Sequence, residues 1–411
     1  MKSYINILAI MTFGTILSAC SIEKKTESMK DYKIGTFGYD LQYLNTKDSL
    51  VVLTDNNGQA QVIVSPKYQA KVFTSTVNGF EGNSLGYLNY KALDSKETNE
   101  HMNGYGGENR LWIGPEGGRY SVFFEPGKEQ VYDNWHTPQA IDIEAWKIIS
   151  SGKRDVWMQK DMEVKNYLGN DMKLSINRKV HLLTTSDIKN MLGITFTDKV
   201  KSVAYSTQNT IQNMNDFAWS KETGTICMWM LDMFNTSSKA LTIIPFNEGD
   251  PNQLGKIATT DYFGEIPNNR IKIKNGILYL KTDGKYRSKL GMNSIRTKSI
   301  TANYNPEINR LTITTFNVDP NAIYLNQEWN PEKDPLIGDV LNAYNDGPLE
   351  DGSIMGPFLE VESASPAAFL KQGEIQVHNH NVFHFVGKDE DLSTISRALL
   401  GISIEEIKNI F

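Results

Sequence analysis

Lys274-Asn275-Gly276-Ile277-Leu278-Tyr279-Leu280-Lys281-Thr282-Asp283-Gly284 is a short apolar run closed at both ends by turn chemistry. Asn-Gly and Asp-Gly pairs supply the positive φ angles of tight turns, and a run this short and this rich in large apolar residues suits a buried strand. The same grammar recurs along the chain. Leu50 to Thr54, Gln61 to Val64, Val180 to Leu183, Leu241 to Phe246 and Leu311 to Phe316 are short β-branched or aromatic runs bounded by Asn, Asp, Gly or Pro, and Asn56-Asn57-Gly58 marks another turn. Many strands without long intervening helices predict an all-β protein of packed antiparallel sheets, because parallel sheets require crossover helices.

The C-terminus departs from this pattern. Leu392, Ile395 and Leu399 recur at helical spacing over 390–400, with Asp389 or Asp391 available as a cap and Gly401 as a stop. Ser403-Ile404-Glu405-Glu406 has capping-box form and predicts a second short helix. Residues 389–411 are read as a helical clasp over the sheets.

At the other end, an apolar stretch from Tyr4 to Leu17 follows Lys2 and leads through Ser18-Ala19 into Cys20. The stretch is shorter than the ~20 residues a membrane-spanning helix needs, and small residues before a cysteine read as a lipoprotein signal. Cleavage before Cys20 and its lipidation would anchor the chain in the cell envelope, at the outer membrane, with membrane contact through the lipid only. Residues 1–20 are then a signal peptide, 21–31 a Ser, Lys and Glu rich tether of at most ~36 Å, and 32–388 one continuous sandwich domain. The remaining thiol, Cys227, lies in an apolar run and reads as buried and inert.

The chain carries 42 basic and 48 acidic residues, net −6, with no dense basic stretch, which excludes nucleic acid as a partner. Three constellations hold the candidate chemistry. In 103–118, a glycine-punctuated loop, Glu108, Asn109 and Arg110 offer paired donors and acceptors for sugar hydroxyls, and Trp112 offers an apolar platform for a sugar's C–H face. The loop lacks the ending of a phosphate-binding P-loop. In the second, Tyr344-Asn345-Asp346-Gly347-Pro348 precedes Pro357-Phe358-Leu359-Glu360-Val361-Glu362-Ser363, an extended run that places Glu360 and Glu362 on one side and Leu359 and Val361 on the other. Two carboxylates sharing a cleft would raise one pKa toward neutrality. Asp346, Glu350 and Asp351 match no calcium-loop spacing and read as a turn. In the third, His378, His380 and His384 share one side of a strand, with Val377, Phe383 and Phe385 on the other. With no zinc-like spacing nearby, the histidines read as a polar outer face, and the reading calls for no metal and no cofactor.

Phe358-Leu359-Glu360-Val361-Glu362-Ser363-Ala364-Ser365-Pro366, followed by Leu370-Lys371-Gln372-Gly373-Glu374, resembles the C-terminal end of the galactose mutarotase-like superfamily. The resemblance implies a galactose mutarotase-like antiparallel β-supersandwich with short C-terminal helices. It also implies a base at Glu362, with Glu360 close behind, taking a proton from a sugar's anomeric hydroxyl while a mid-chain histidine protonates the ring oxygen. That histidine is missing: Thr210-Ile211-Gln212-Asn213 matches the segment before it, but Met214-Asn215-Asp216-Phe217-Ala218-Trp219 follows. Asp216, His101, His136 and His181 are the stand-ins. The expected protein is a carbohydrate-binding envelope lipoprotein, either an epimerase-like enzyme using Glu362, Glu360 and Asp216, with Glu108, Asn109, Arg110, Trp112, Tyr344, Asn345 and Asp346 holding the sugar, or a non-catalytic glycan-binding or scaffold protein with an envelope protein partner.

Overall fold

The computed structural model describes residues 31–349 and 351–411. Cys20, the signal segment, nearly all of the tether and Glu350 lie outside the described residues. No described helix is long and apolar enough to cross a membrane.

Residues from Tyr32 to Phe411 form one compact unit built on two antiparallel sheets. The eight-stranded sheet runs, in spatial order, Val51–Thr54, Gln61–Ser65, Lys71–Thr76, Asn109–Gly114, Cys227–Asn235, Phe358–Ala364, Leu341–Asn345 and Ser288–Met292. The ten-stranded sheet runs Ile271–Lys274, Ile277–Lys281, Leu241–Pro245, Ile300–Asn305, Arg310–Phe316, Ile375–Val386, Lys201–Asn213, Asp171–Leu182, Asp155–Lys165 and Lys147–Ser151. The antiparallel β-sandwich expected from the sequence is therefore the observed architecture. Asn275 and Gly276, at φ 50 and 69, close the Ile271–Lys274 and Ile277–Lys281 hairpin, as the Asn-Gly pair required.

Leu111, Ile113, Val62, Val64, Leu359 and Val361 join Val180, Leu182, Val203 and Tyr205 in the main hydrophobic core. A second cluster lies where the C-terminal helices Asp389–Leu400 and Ile404–Lys408 bury Leu392, Ile395, Ile404 and Ile407 against Phe383, Phe385, Leu311 and Ile313 of the ten-stranded sheet. The Ser403 capping box forms with both hydrogen bonds, and Gly401 ends the first helix in the left-handed region at φ 77. Neither Asp389 nor Asp391 caps that helix: its N-cap is Lys388, and Asp389 instead accepts from Tyr304 Oη at 2.6 Å and Lys408 Nζ at 2.8 Å.

The helices are not confined to the C-terminus. Phe37–Asn45 opens behind the Thr36 cap and buries Phe37 and Leu44 against Phe73 and Ile63 on the outside of the eight-stranded sheet. Thr185–Leu192 opens on a complete Thr184/Asp187 capping box. Both follow local capping chemistry that the count of strand-like segments overlooks.

The three histidines do share one side of their strand, but that side is the interior. His378, His380 and His384 are fully buried between the sheets, and it is Val377 that faces solvent. The Phe383 and Phe385 side is covered by the C-terminal helices, so the polar side had to turn inward. Among the described residues no group of three or more His, Cys, Asp or Glu could hold a metal.

Candidate functional site

Pleating divides the strand of Phe358–Ala364 into two chemistries. Leu359, Val361 and Ser363 point into the sandwich; Glu360 and Glu362 point to the outer face of the eight-stranded sheet. Register sets their neighbours. Glu360 lies between Met233 and Tyr344, with Lys289 beyond Tyr344; Glu362 lies between Leu231 and Asn342, with Arg110 beyond Leu231.

The charges meet on diagonals. Arg110 Nη2 donates to Glu360 Oε1. Glu362 Oε2 accepts from Lys289 Nζ at 3.0 Å and from Trp229 Nε1 at 2.9 Å. Aromatic faces cover the cations: the Arg110 guanidinium lies 4.8 Å from the Trp112 ring centroid, and Lys289 Nζ lies 5.0 Å from Trp229 and 5.6 Å from Tyr262. Two of these carboxylates, Arg110 and Trp112 were singled out in the sequence, and the fold brings all four together.

Burial raises the Glu360 carboxyl to about 7, the nearby Glu362 adding to the rise while Arg110 and Lys289 oppose it. Burial works against the Lys289 ammonium, but Glu362, Glu116 and Glu360 around it hold it above its ordinary value. On the far side of Arg110, burial together with the Arg110 charge lowers Lys71 to about 7. Lys71 Nζ donates to the Gly106 carbonyl at 3.0 Å, and Gly107, at φ 122, leaves no room for a Cβ beside the Lys71 stem. Glu360 is the more accessible carboxylate, its side chain 9% exposed against 2% for Glu362.

Sequence reasoning missed Lys289, Trp229, Tyr262 and Asp339, and gave Glu116, one of the two carboxylates of the 103–118 stretch, no role of its own. Half-buried Glu116 faces Lys289, Glu362 and Arg287, and burial raises its pKa. Gly291, the strand neighbour of Asn342, lets Asp339 settle on the sheet: a Cβ there would stand 2.0 Å from Asp339 Oδ2. Asp339, pushed up to about 6 by burial, accepts from Tyr262 Oη at 2.8 Å, and both line a groove of about 360 Å³ with Thr259, Asn326, Glu328 and Lys333. These residues come from separate segments with no shared motif; a lone lysine inside an apolar strand, Lys289, was the one local clue.

Other expected site residues lie elsewhere. Glu108 and Asn109 face the interior rather than the surface of Arg110. Asn109 Nδ2 donates to Asp232 at 2.6 Å, while Glu108 Oε1 meets His384 Nε2 at 3.0 Å and accepts from Ser75 Oγ at 2.7 Å. Asn109 alternates with Arg110 along the strand, and Glu108 enters it from the left-handed glycines 106 and 107, so neither can share Arg110's face. Inside, His380 bridges Asp232 at 2.8 Å and Ser363 Oγ at 2.8 Å, and His378 Nε2 reaches the same hydroxyl at 2.9 Å.

Tyr344 does lie on the outer face. Its hydroxyl donates to Asp346 Oδ1 at 2.8 Å, and Asp346 Oδ2 accepts from the Gly356 amide at 3.0 Å. Asn345 ties down the neighbouring loop, accepting from the Gly284 amide and donating to the Tyr286 carbonyl. Trp112 is only 4% exposed and packs on Phe123 and Trp229, so it is part of the floor rather than an open platform. Asp216 is exposed on the loop after Lys201–Asn213, in the other sheet, and the structure places it with neither glutamate. His101 stacks on His136 at 5.0 Å, and His181 sits on the Asp171–Leu182 strand of the ten-stranded sheet. Cys227 is fully buried, its thiol pushed up to about 12 by burial.

The chain is similar in structure to a candidate aldose 1-epimerase from Escherichia coli K12, at 10% identity and a TM-score of 0.49 over 82% of this chain and 98% of that one. It is also similar to the Slr1438 protein of Synechocystis sp. PCC 6803 (12%, TM-score 0.49, 88% and 100%) and to a galactose mutarotase-like protein of Lactobacillus casei (11%, TM-score 0.48, 82% and 100%). Among curated proteins nothing matches. Residues 35–411 match the model of the family of unknown function DUF6786, and the chain belongs to that family.

Proposed function

We propose that the outer face of the eight-stranded sheet binds a carbohydrate and that Glu360 moves a proton to or from it, in a protein held to the cell envelope by lipid on Cys20. One observation carries the reading. Glu360, with its carboxyl near 7, lies between the Arg110 guanidinium and the Glu362–Lys289 pair on a face walled by Trp112, Trp229 and Tyr344. A carboxylate poised near neutrality can both take and return a proton, which ring opening and reclosure of a sugar demand. Glu362, held by Lys289 and Trp229, sets the local charge rather than exchanging the proton. The Leu17-Ser18-Ala19-Cys20 motif supports the anchor, and Ser21 after the cysteine suits outer-membrane sorting.

The test is a thermal-shift screen of the chain against mono- and oligosaccharides, followed by anomer exchange measured by NMR. A ligand at ~100 times Kd adds about 2.7 kcal/mol to the native state. Glu360→Gln should keep the ligand and slow exchange by 10²–10⁴-fold. Binding with no exchange in the wild type would support a glycan-binding protein instead, and silence with every sugar would support the scaffold reading. Labelling with radioactive palmitate, lost in Cys20→Ala, tests the anchor.

A further inference from the structure

Arg287 stands just before the Ser288–Met292 strand, two residues from Lys289 and at the rim of the same face. Its guanidinium stacks on Phe263 at 3.9 Å from the ring centroid, and its Nε donates to Tyr344 Oη at 3.2 Å. That hydroxyl is fixed in turn by Asp346, which the Gly356 amide holds. Gly347 packs so tightly on the backbone of Tyr286 and Arg287 that a Cβ would lie 2.5 Å from the Arg287 nitrogen. The arm is thus positioned before any ligand arrives, which spares a ligand the ordering cost.

What the two terminal nitrogens of the arm lack is a carboxylate partner. Arg110 and Lys289 each touch a carboxylate, whereas among the described residues no carboxylate oxygen lies within 4.0 Å of Arg287. Glu116 and Asp346 lie near enough to feel its charge without touching it, and Asp346 is occupied by Tyr344 and Gly356. The terminal guanidinium nitrogens therefore form a free fork, the geometry suited to two oxygens of an anionic group. Beside it, Phe263 is 44% exposed and offers apolar ring surface to a sugar's C–H bonds.

We propose that Arg287 and Phe263 form a subsite for a sugar unit bearing an anionic substituent, either a carboxylate or a sulfate or phosphate ester, so that the ligand is an acidic glycan. This rests on the carbohydrate reading above. The guanidinium grips the anionic oxygens while the ring carries the pyranose, and the adjoining unit lies toward Lys289 and Glu360.

Calorimetry on the full chain in detergent, with D-galacturonate, D-galactose 6-sulfate, D-galactose 6-phosphate and neutral D-galactose as probes, tests this. At least one acidic sugar should bind ten-fold or more tighter than galactose, with affinity falling as salt rises; which one binds separates carboxylate from ester recognition. Arg287→Gln should bring the acidic sugar to within two-fold of galactose and leave galactose itself unchanged. Phe263→Ala, at an exposed position and independent of any folding defect in the arginine variant, should weaken the acidic sugar at least three-fold. Galactose binding as tightly as every acidic probe, or a preference that survives Arg287→Gln, overturns the proposal and leaves the carbohydrate reading standing. Failure of all four probes together with the wider sugar screen overturns both.

Discussion

Replacing Glu360 by Gln should make the protein more stable in alkaline solution, an outcome opposite to that of breaking an ordinary ion pair. The carboxyl moves from an ordinary 4.5 to about 7 on folding. Between these values the native state binds more protons than the unfolded chain, so the contribution of Glu360 is fully present below pH 4.5 and is lost as pH rises through 7. The 2.5-unit difference amounts to about 3 kcal/mol, at 1.36 kcal/mol per unit. With the side chain 9% exposed, solvent screening takes little from that figure. Gln resembles the protonated acid in shape and still accepts from Arg110 through its amide oxygen. Urea denaturation at pH 8.5 should show the variant more stable by about 3 kcal/mol, and at pH 4.5 the two proteins should coincide. A variant destabilised by 2 kcal/mol or more at pH 8.5 would refute the reasoning, because the ion pair with Arg110 would then be holding the sheet together rather than being held by it.

The remaining predictions concern the floor and the interior. Trp112→Ala should cost about 3–5 kcal/mol by opening a cavity against Phe123 and Trp229, so lost glycan binding in this variant reports unfolding; a well-folded variant with an unchanged melting temperature would contradict the packing. Lys289→Met should cost about 3–5 kcal/mol near pH 8, since it leaves the Glu362 carboxylate buried with the Trp229 indole and no cation. His378, lowered to about 3 chiefly by burial, is neutral in the fold but protonates in the unfolded chain below 6.5. Acid therefore favours unfolding, and between pH 6.5 and 5 the loss reaches about 2 kcal/mol. His378→Gln should flatten the fall in stability with acid by about 1.4 kcal/mol per pH unit, and an unchanged slope would assign the acid sensitivity to other groups.

Strand grammar was legible because hairpins depend on neighbours in sequence: the Ile277–Lys281 strand and its Asn275-Gly276 turn appear at the residues that encode them. The alternation Leu359, Glu360, Val361, Glu362 likewise reveals that the glutamates share a face. What alternation cannot say is which face is inside. The histidines were assigned outward because polar sides usually face water, yet the C-terminal helices cover the opposite side of that strand, a contact between residues 383 and 395 that no local pattern encodes. Glu108 failed for a related reason. The 103–118 stretch reads as a loop, but it carries the Asn109–Gly114 strand, and the two left-handed glycines just before Glu108 turn that side chain to the interior. Lys289 and Asp339 stayed invisible as site residues because their partners are 73 residues away in one case and a tyrosine on a loop in the other.

The eight-stranded sheet carries charge on its outer face and meets the histidines of the ten-stranded sheet with its inner face, and the Phe358–Ala364 strand serves both. Glu360 and Glu362 alternate with Val361 and Ser363, so a one-residue slip of this strand would drive both carboxylates toward His378 and His380 and strand Arg110 and Lys289. Register specification alone could therefore account for these ion pairs, and it must be separated from a functional role. A double variant, Lys289→Met with Glu362→Leu, does so. Replacing a buried pair by apolar residues is commonly neutral or stabilising by about 1–4 kcal/mol. If the pair exists to tune Glu360, the double variant should unfold cooperatively with undiminished stability. Its Glu360 carboxyl should also move below neutrality, as seen by infrared titration of the carboxyl band, because the Glu362 charge that raises it outweighs the Lys289 charge that lowers it. If the pair exists to lock the register, unfolding should broaden and the native signals should multiply, whatever becomes of Glu360. The two outcomes leave different marks on the same sample, and the first alone is what a proton-transfer site on this face requires.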